Sequence, residues 1–520
     1  MIILLVTNLN TYRSTKMAEA KTPKEKQVGI LHSINRCWKS ITVEPLTFFF
    51  VIPFSMSSLT IQNLNLEKAC RVNLNLTIAI CDALQNRNRS GYNESDEILV
   101  QREVASSYVW KNVVYGVFPA ILLPLLGSWS DRNNTTKALM LIPLFGEVLT
   151  NIGFLLCTYF FYELSMEVSI ITEVLPTSIT GGSNMYLLGV FTYIAVISTK
   201  ETRTFRIGIV HVLYSISLTI GFALSGVMYN LVGFYGVFLI SLIMYSSAGI
   251  YVMYYLVDVK NSNKQVLTKW EIVKDIGNLK ETFNTFKSLF KPHQTNRRAQ
   301  IIVLMALAVV VLGPFLGETT VLYLYTRFRF TWDEIKYSIF YTYYCIAHLI
   351  GAMVALSLFT KYLRLDDALL GVISSVSKIL GGIMYILARI PELFYVGTLL
   401  EVFNGTAFVA SRSILTKLVS QEELGKVNSL FGIAESLTGL IYGPTYSFIY
   451  KSTLHHFPSA FFLFGIIFTI PAIFMYLWLY KYRHNRREIQ EPIGDVKIKK
   501  VLLERNGKEA IKKLNGNEDV

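Results

Sequence analysis

Charged residues are scarce in this chain. Lys, Arg, Asp and Glu together make up 16% of the 520 residues, and 52% of the residues are hydrophobic. A soluble domain is usually about a quarter charged. The charges cluster in short gaps between apolar stretches of roughly twenty residues, the length of helix that crosses a bilayer. The scarcity of charge excludes an ordinary soluble domain and indicates a polytopic protein of the lipid bilayer.

Sequence patterns for catalysis and for metal binding are lacking as well. The five cysteines and seven histidines show no spacing typical of a metal site. The chain has no Gly-rich phosphate loop and no nucleophile–base set. We therefore expect no metal, no cofactor and no enzymatic activity. The net charge of +13 does not indicate nucleic-acid binding, because the Lys and Arg of membrane proteins concentrate in cytoplasmic loops.

Twelve apolar stretches predict an all-α protein with twelve transmembrane helices. Helices are expected because a helix satisfies its backbone hydrogen bonds within lipid. The predicted spans are 41–65, 104–127, 138–161, 174–198, 206–229, 233–257, 299–325, 337–360, 366–388, 392–418, 427–450 and 458–480.

The distribution of cations predicts the orientation of these spans. Every second gap between spans is rich in Lys and Arg, and so are both ends of the chain. Because such gaps usually face the cytoplasm, we expect both termini there. The predicted divisions are a cytoplasmic N-terminal segment 1–40, a six-helix half 41–257, a basic cytoplasmic linker 258–298, a second six-helix half 299–480 and a cytoplasmic tail 481–520.

One part of the linker has its own periodicity. Residues 269–290 place apolar side chains at helical spacing, with lysines between them. Two structures remain open for this part: an amphipathic helix on the inner leaflet, and a solvated helix packed beneath the bundle.

The first gap, 66–103, is predicted to lie outside the cell or in a lumen. It contains three glycosylation sequons, at Asn75, Asn88 and Asn93. Such a loop folds in an oxidising compartment. Cys70 and Cys81, which share the loop, are therefore candidates for a disulfide.

Six spans, a basic linker and six further spans resemble the plan of the major facilitator superfamily. The string GSWSDRNNTTK, after the second span, is similar to that superfamily's loop motif, with Gly127, Asp131, Arg132 and Lys137 as its remnants. The resemblance implies that Gly127 permits close helix contact. It also implies that Asp131 lies near a helix N-terminus, where the dipole favours an anion, and pairs with cations that lock the outward-facing state.

Longer strings resemble the proton-coupled folate transporter family, solute carrier family 46. They are LLGVFTYIAVIS (187–198), KETRTFRIGIVH (200–211), LYTRFRFTW (324–332) and SRSILTKLVSQEELGKVNSLFGIAESL (411–437). The chain departs from folate transporters at His211, where a Glu is expected, and at Val196, where an Asp is expected. The resemblance implies protons and a small organic anion as transported partners. Folate-like, steroid-conjugate and peptidoglycan-fragment substrates all remain open.

Ionisable side chains inside spans cost about 2.5–3.5 kcal/mol each on insertion scales, so they usually have a partner or a function. Arg412 in the tenth span matches an Arg that the family ties to substrate and proton binding, and Glu435 is its candidate ion-pair partner. Glu318 and His211 are candidates for proton coupling, the latter because His titrates near physiological pH. The alternative for all four is a structural pair or a satisfied core group.

Further intramembrane groups are weaker candidates for a functional role. Glu44 is a candidate for substrate or proton binding, but a structural pair with a loop cation is the favoured alternative. Lys378 and Glu147 are expected to be in structural pairs, and Lys111 is expected to snorkel to the outer interface. The weakest candidates for ligand contact are His348 and the aromatic residues Tyr341, Tyr343 and Tyr344.

These patterns predict a secondary active transporter of a small organic anion, coupled to protons and working by alternating access between its two halves. We expect a monomer or weak homo-oligomer in the plasma membrane or the lysosomal membrane. The alternative is a non-transporting membrane sensor or scaffold. The incomplete loop motif favours that alternative, whereas the cost of the intramembrane charges opposes it.

Overall fold

The computed structural model describes residues 42–133, 135–198, 200–256, 297–363, 365–418 and 424–483. The predicted N-terminal segment 1–40, the linker helix 269–290 and nearly all of the predicted tail 481–520 lie outside these ranges.

Helices dominate the described part of the chain, in which no strand occurs. Two π-helical segments, Ala69–Asn73 and Ala355–Tyr362, continue the first and ninth helices. The α-helices are α1 (Glu44–Lys68), α2 (Ile78–Gln85), α3 (Glu94–Asn133), α4 (Lys137–Tyr159), α5 (Met166–Ile179), α6 (Gly182–Ile197), α7 (Lys200–Tyr255), α8 (Arg297–Phe330), α9 (Glu334–Val354), α10 (Asp367–Leu387), α11 (Pro391–Leu400), α12 (Thr406–Leu418), α13 (Leu424–Thr453) and α14 (Ala460–Lys481).

These helices account for the twelve predicted spans. Eight helical segments of the described chain are long and apolar enough to cross a membrane, with α7 counted once. At Gly233 of α7 (φ 63°, ψ −164°) the backbone leaves helical geometry. Val210 and Val252 from its two arms pack in one cluster, so α7 turns back at Gly233 and crosses twice. The other crossings are α13 and two discontinuous helices, α5/α6 and α11/α12.

Several predicted boundaries were wrong because the helices extend beyond their apolar cores. Helix α3 runs from Glu94 to Asn133, whereas the prediction was 104–127. Its first turn contains Glu94, Asp96 and Glu97, which the helix dipole favours at an N-terminus although they are polar. The connection between α1 and α3 is therefore shorter than the predicted gap 66–103, and it contains α2.

The fourth and tenth spans are each interrupted near the middle. Between α5 and α6, Gly181 (φ 81°) and Gly182 (φ 54°) adopt left-handed conformations that side chains other than Gly rarely adopt. Between α11 and α12, residues 401–405 form turns that begin at Glu401. The two interruptions fall in corresponding spans of the two halves. In transporters built from repeats, such paired breaks mark the binding region.

A buried cluster joins the two halves at one side of the molecule. We call the side of residues 69–93 the loop side, and the side where α1 begins and α14 ends the terminal side. The cluster lies on the loop side and contains Leu59 and Val104 of the first half with Tyr323 and Tyr446 of the second. On the terminal side, the described residues form a separate core in each half. We call the region between these two cores the central cavity.

A polar network reinforces the contact between the halves on the loop side. Arg87, which follows α2, donates to Glu334 Oε1 at the start of α9 (2.7 Å) and to Trp332 O (3.3 Å). Glu334 Oε1 also accepts from Asn63 Nδ2 of α1 (3.1 Å), and the Tyr323 hydroxyl of α8 donates to Asn63 Oδ1 (2.6 Å). We call Asn63, Arg87, Tyr323 and Glu334 the cross-half latch, because it joins the first loop and α1 to the second half.

The latch predicts a shift in conformation when Arg87 is removed. The side chains of Arg87 and Glu334 are only 9% and 11% exposed. Breaking a buried pair costs about 3–5 kcal/mol, so Arg87→Ala is expected to shift the population towards the form open on the loop side by about tenfold or more. Spin labels are attached at Glu94→Cys and Lys336→Cys in protein whose free cysteines have been replaced. Electron paramagnetic resonance is expected to show a longer distance between the labels in Arg87→Ala than in the otherwise unchanged protein.

Arg89→Ala is the matched control, because Arg89 lies two residues along the same loop and is exposed. The charge swap Arg87→Glu with Glu334→Arg is expected to restore the short distance. An unchanged distance distribution in Arg87→Ala would show that the latch does not stabilise this conformation.

Candidate functional site

A buried cluster of three ionisable groups lies at the break in the tenth span. Lys378 Nζ of α10 donates to Glu318 Oε2 of α8 (2.6 Å) and to Glu401 Oε1 (2.8 Å). Asn404 Nδ2, from the same break, also donates to Glu401 Oε1 (2.8 Å). We call Glu318, Lys378 and Glu401 the lysine triad. It ties together three helical segments through groups that would be costly to bury singly.

The local sequence explains why the triad can assemble. A Cβ at Gly381 would lie 2.6 Å from Glu401 Cβ, so only glycine lets α10 approach the break this closely. Ser374 and Ser377 of α10 donate to the carbonyl oxygens of Phe403 (2.7 Å) and Leu400 (2.6 Å). These bonds satisfy backbone acceptors that lose their helical partners where the helix stops.

An aromatic chamber adjoins the triad. Glu318 lines it together with Tyr341, Tyr344, Tyr385 and Phe462. Tyr341 and Tyr344 are buried in its wall, so their contact with a planar ligand stays a prediction. Tyr343 packs instead against Tyr395, with ring centroids 5.2 Å apart.

His348 lies close to the chamber. Its ring stacks on Tyr344 at 4.2 Å between centroids, and the fields of Glu401 and Lys378 reach it. The weakly supported candidate His348 is therefore a neighbour of the triad.

The first half contains a related group of charges near its own break. Lys111 of α3 pairs with Glu173 of α5 (2.6 Å), so the expectation that Lys111 snorkels to the interface was wrong. Glu147 of α4 is buried near Glu173 and Tyr245. Whereas Lys378 is paired as expected, Glu147 forms no ion pair with any residue that the structure describes.

Arg412 and Glu435 form an ion pair that borders the central cavity. Arg412 Nη2 donates to Glu435 Oε1 (2.6 Å), and the two side chains are 39% and 25% exposed. Phe408 and Phe431 flank the guanidinium at 5.1 and 5.3 Å from their ring centroids. The Nε atom of Arg412 is buried and has no hydrogen-bond partner among the described residues. The guanidinium therefore retains a donor after pairing with Glu435.

His211 lies across the cavity from this pair, on the first arm of α7. It is exposed, and its ring packs on Phe191 at 4.9 Å between centroids. The field of Arg412 reaches it, although the two belong to different halves. The structure therefore brings His211, Arg412 and Glu435 to the same cavity, and places Glu318 in the separate lysine triad.

Glu44 has a structural environment at the start of α1. Its carboxylate accepts from Arg206 Nη2 (3.1 Å) and from the backbone N–H of Thr42 (2.6 Å). Arg206 also donates to Thr42 Oγ1 (2.9 Å). This is the pair with a cation that the sequence favoured over a role in substrate binding.

The superfamily loop motif is mostly helical. Gly127, Asp131 and Arg132 lie in the last turns of α3, and Lys137 begins α4. Asp131 lies near the C-terminal end of α3, shortly before α4 begins, and its proximity to a helix N-terminus stays a prediction. A Cβ at Gly127 would lie 3.3 Å from Leu188 of α6, which agrees with a close helix contact. Lys137 Nζ donates to Met253 O of α7 (3.2 Å).

The loop side carries the predicted sequons and cysteines. Asn75, Asn88 and Asn93 are all exposed there. Cys70 and Cys81 form a disulfide between the end of the first span and α2.

Glu401 is the site residue that sequence reasoning missed. It lies in the predicted span 392–418 and is fully buried, yet it was not considered. An acid followed by Asn404 and Gly405 inside an apolar run was the available signal, because such a string weakens a helix.

Comparison with known proteins defines the class. A model of the Major Facilitator Superfamily matches residues 104–395 and 368–514. The chain therefore belongs to the major facilitator superfamily, a class of membrane transporters and not of enzymes. Within it, curated relatives confirm the predicted place in solute carrier family 46.

Three relatives from solute carrier family 46 match most of the chain. The probable peptidoglycan muropeptide transporter SLC46 of Drosophila melanogaster is 24% identical, covering 82% of this chain and 83% of the relative. The lysosomal proton-coupled steroid conjugate and bile acid symporter of Gallus gallus is 23% identical, covering 85% and 94%. The proton-coupled folate transporter of Rattus norvegicus is 23% identical, covering 75% and 82%.

Solved structures agree on the fold. The human organic anion transporter MFSD10 has a TM-score of 0.56 at 14% identity, covering 84% of this chain and 98% of the other. A D-xylose–proton symporter has a TM-score of 0.57 at 12% identity, covering 83% and 96%. At such identities the likeness shows the fold alone.

The lysine triad predicts a stability effect. Lys378→Met would leave two buried carboxyl groups without their cation, which is expected to cost about 3–5 kcal/mol of folding free energy. Adding Glu318→Gln and Glu401→Gln to Lys378→Met is expected to recover most of that loss. Thermal unfolding of the purified protein in detergent would measure both. A single variant as stable as the wild type would show that the three groups are not energetically coupled.

Proposed function

We propose that this protein is a proton-coupled secondary active transporter of a small organic anion. The observation that carries the proposal is the half-exposed Arg412 at the central cavity, with an unpartnered Nε and two flanking aromatic rings. A guanidinium presents planar, directed donors to a carboxylate, sulfate or phosphate. The ring faces of Phe408 and Phe431 add apolar contact for the rest of such a molecule.

Alternating access follows from the arrangement of the halves. The cross-half latch and a shared buried cluster join the halves on the loop side, whereas the described residues of the terminal side form a separate core in each half. Opening the latch and joining the two separate terminal-side cores would expose Arg412 to the other compartment. The proton coupling of this proposal is supported by two relatives, the steroid conjugate symporter and the folate transporter, which are both proton-coupled.

Glu435 gives the site a means of releasing its ligand. Glu435 occupies the Arg412 fork through one oxygen. A bound anion would compete with Glu435 for that fork, so Glu435 can displace the anion when it pairs with Arg412 again.

The test is uptake into proteoliposomes under an imposed pH gradient. The anions are a folate, a steroid sulfate and a muramyl peptide, each compared at pH values of about 5.5 and 7.4, on either side of the ordinary pKa of His. We expect at least one of them to enter faster with the gradient. Ligand binding without uptake of any of them would favour a sensor or scaffold instead.

Arg412 variants test the anion site. Arg412→Ala is expected to reduce uptake by about a hundredfold, and Arg412→Lys by about tenfold, because Lys keeps the charge but loses the bidentate fork. Surface protein is measured in parallel. If Arg412 only neutralises Glu435, the double variant Arg412→Met with Glu435→Gln would transport normally, and that result would contradict the proposed role.

We also propose that both termini face the cytoplasm, in the plasma membrane or the lysosomal membrane. The orientation is supported by the cation-rich gaps on the terminal side and by the exposed sequons on the loop side. Asn75, Asn88 and Asn93 are expected to carry at least one glycan. Replacing all three with Gln, or treating the protein with an endoglycosidase, would then speed migration on a gel. No shift in either case would contradict this orientation.

A further inference from the structure

The lysine triad contains more acid than base. Glu318, Lys378 and Glu401 are 7%, 3% and 0% exposed, so none of the three is solvated. If both carboxyl groups were ionised, the triad would carry a net negative charge in a low-dielectric interior, which is strongly unfavourable. The triad is neutral when one of the two carboxyl groups holds a proton.

The hydrogen bonds distinguish the two carboxyl groups. Glu401 Oε1 accepts from both Lys378 and Asn404, and each of these bonds favours the ionised form. Glu318 accepts from Lys378 alone, through Oε2. Among the described residues, Glu401 Oε2 and Glu318 Oε1 are both buried without a hydrogen-bond partner. The two groups therefore differ in their donors, two for Glu401 and one for Glu318, whose Oε1 stays free.

A hydroxyl acceptor lies close to that free oxygen. A Cβ at Gly465 would lie 2.9 Å from both Glu318 Oε1 and the hydroxyl oxygen of Tyr446, and that hydroxyl also has no partner in the described chain. The absence of a side chain at Gly465 keeps this space open. Glu318 Oε1 and the Tyr446 hydroxyl therefore border the same small space.

We propose that Glu318 binds the co-transported proton, and that Lys378 and Glu401 are positioning residues that hold it there. This inference rests on the proposed function and names the proton site within it. The Glu318 carboxylate binds one proton and becomes a carboxylic acid. The same proton later leaves to the other compartment.

The surroundings contain no second cation that would hold Glu318 ionised, within the residues that the structure describes. The aromatic chamber gives Glu318 a small internal space that is lined mainly by aromatic rings. The titratable and charged groups around Glu318 are Lys378 and Tyr385 of α10, Glu401 of the break, Tyr344 and His348 of α9, and Tyr446 of α13.

Protonation of Glu318 would be coupled to the latch through α8. Neutral Glu318 binds Lys378 less strongly, and Lys378 remains held by Glu401. Helix α8 is then less firmly tied to α10 and to the break. Tyr323 of the latch lies on α8 little more than one turn beyond Glu318. The part of α8 that loses its tie to Lys378 is therefore the part that carries a latch residue. The proton would thereby shift the balance between the two conformations.

The first experiment measures the proton itself. Infrared difference spectra of the purified full chain, recorded on acidification, are expected to contain a protonated-carboxyl band that Glu318→Gln lacks. Glu147 is present in both proteins and contributes equally. The matched control is Asp367→Asn. Asp367 lies on the same helix as Lys378 but near the terminal side, where its carboxylate pairs with Lys417 (2.5 Å). An undiminished band in Glu318→Gln would overturn the proposal.

The second experiment measures coupling, with a steroid sulfate as the probe in proteoliposomes. Glu318→Gln imitates the protonated state, so the ratio of gradient-driven uptake to exchange without a gradient is expected to fall by about tenfold or more relative to the wild type. Glu401→Gln leaves Glu318 ionised and paired with Lys378. This variant is expected to lose both the exchange without a gradient and the acceleration by the gradient. Asp367→Asn is expected to keep both.

The outcomes separate this inference from the proposed function. If the wild type shows no gradient-driven uptake of the probe, the proposed function fails for that substrate, and the infrared result alone decides the proton site. If the wild type is driven by the gradient and Glu318→Gln is driven equally, the proton binds elsewhere and this inference is overturned.

Discussion

An ionised side chain inside a bilayer needs a counter-charge or access to water, and the charges of this protein meet that requirement in different ways. Lys111 and Glu173 form a closed pair. Arg412 and Glu435 form a pair that the cavity partly hydrates. Lys378 serves two carboxyl groups at once. The last two arrangements leave a free donor in one and an excess of acid in the other, and a transported ligand or proton can complete them.

The two interrupted helices place these groups at the middle of the membrane. A continuous helix satisfies its backbone but offers only side chains to the cavity. The break after α11 is stabilised by serine hydroxyls of α10, and it brings Glu401 and Asn404 towards Lys378. The break between α5 and α6 lies near Tyr115, whose hydroxyl is 3.7 Å from the Cβ position of Gly182. Both halves therefore use a local loss of helical bonding to organise polar groups that the apolar surroundings would otherwise exclude.

Much of the architecture could be predicted from the sequence because the bilayer imposes a simple length rule on apolar runs. The twelve spans, the cation paired with Glu44 and the cysteines at Cys70 and Cys81 follow from local composition. What could not be predicted depends on contacts between distant segments. Glu401 becomes part of a site only because Gly381 admits it against α10. Glu318 and Lys378 are 60 residues apart, and no local pattern connects them.

The disulfide of the first loop has a consequence for the order in which the protein is assembled. Cys70 and Cys81 are only 11 residues apart, so the bond can form as soon as this loop enters an oxidising compartment. The ribosome has then not yet made Tyr323 or Glu334. Chains made from the N-terminus tend to fold their first part first. The first half can thus present Arg87 shortly after a covalently closed segment, and the second half, synthesised later, meets a surface that is already partly formed.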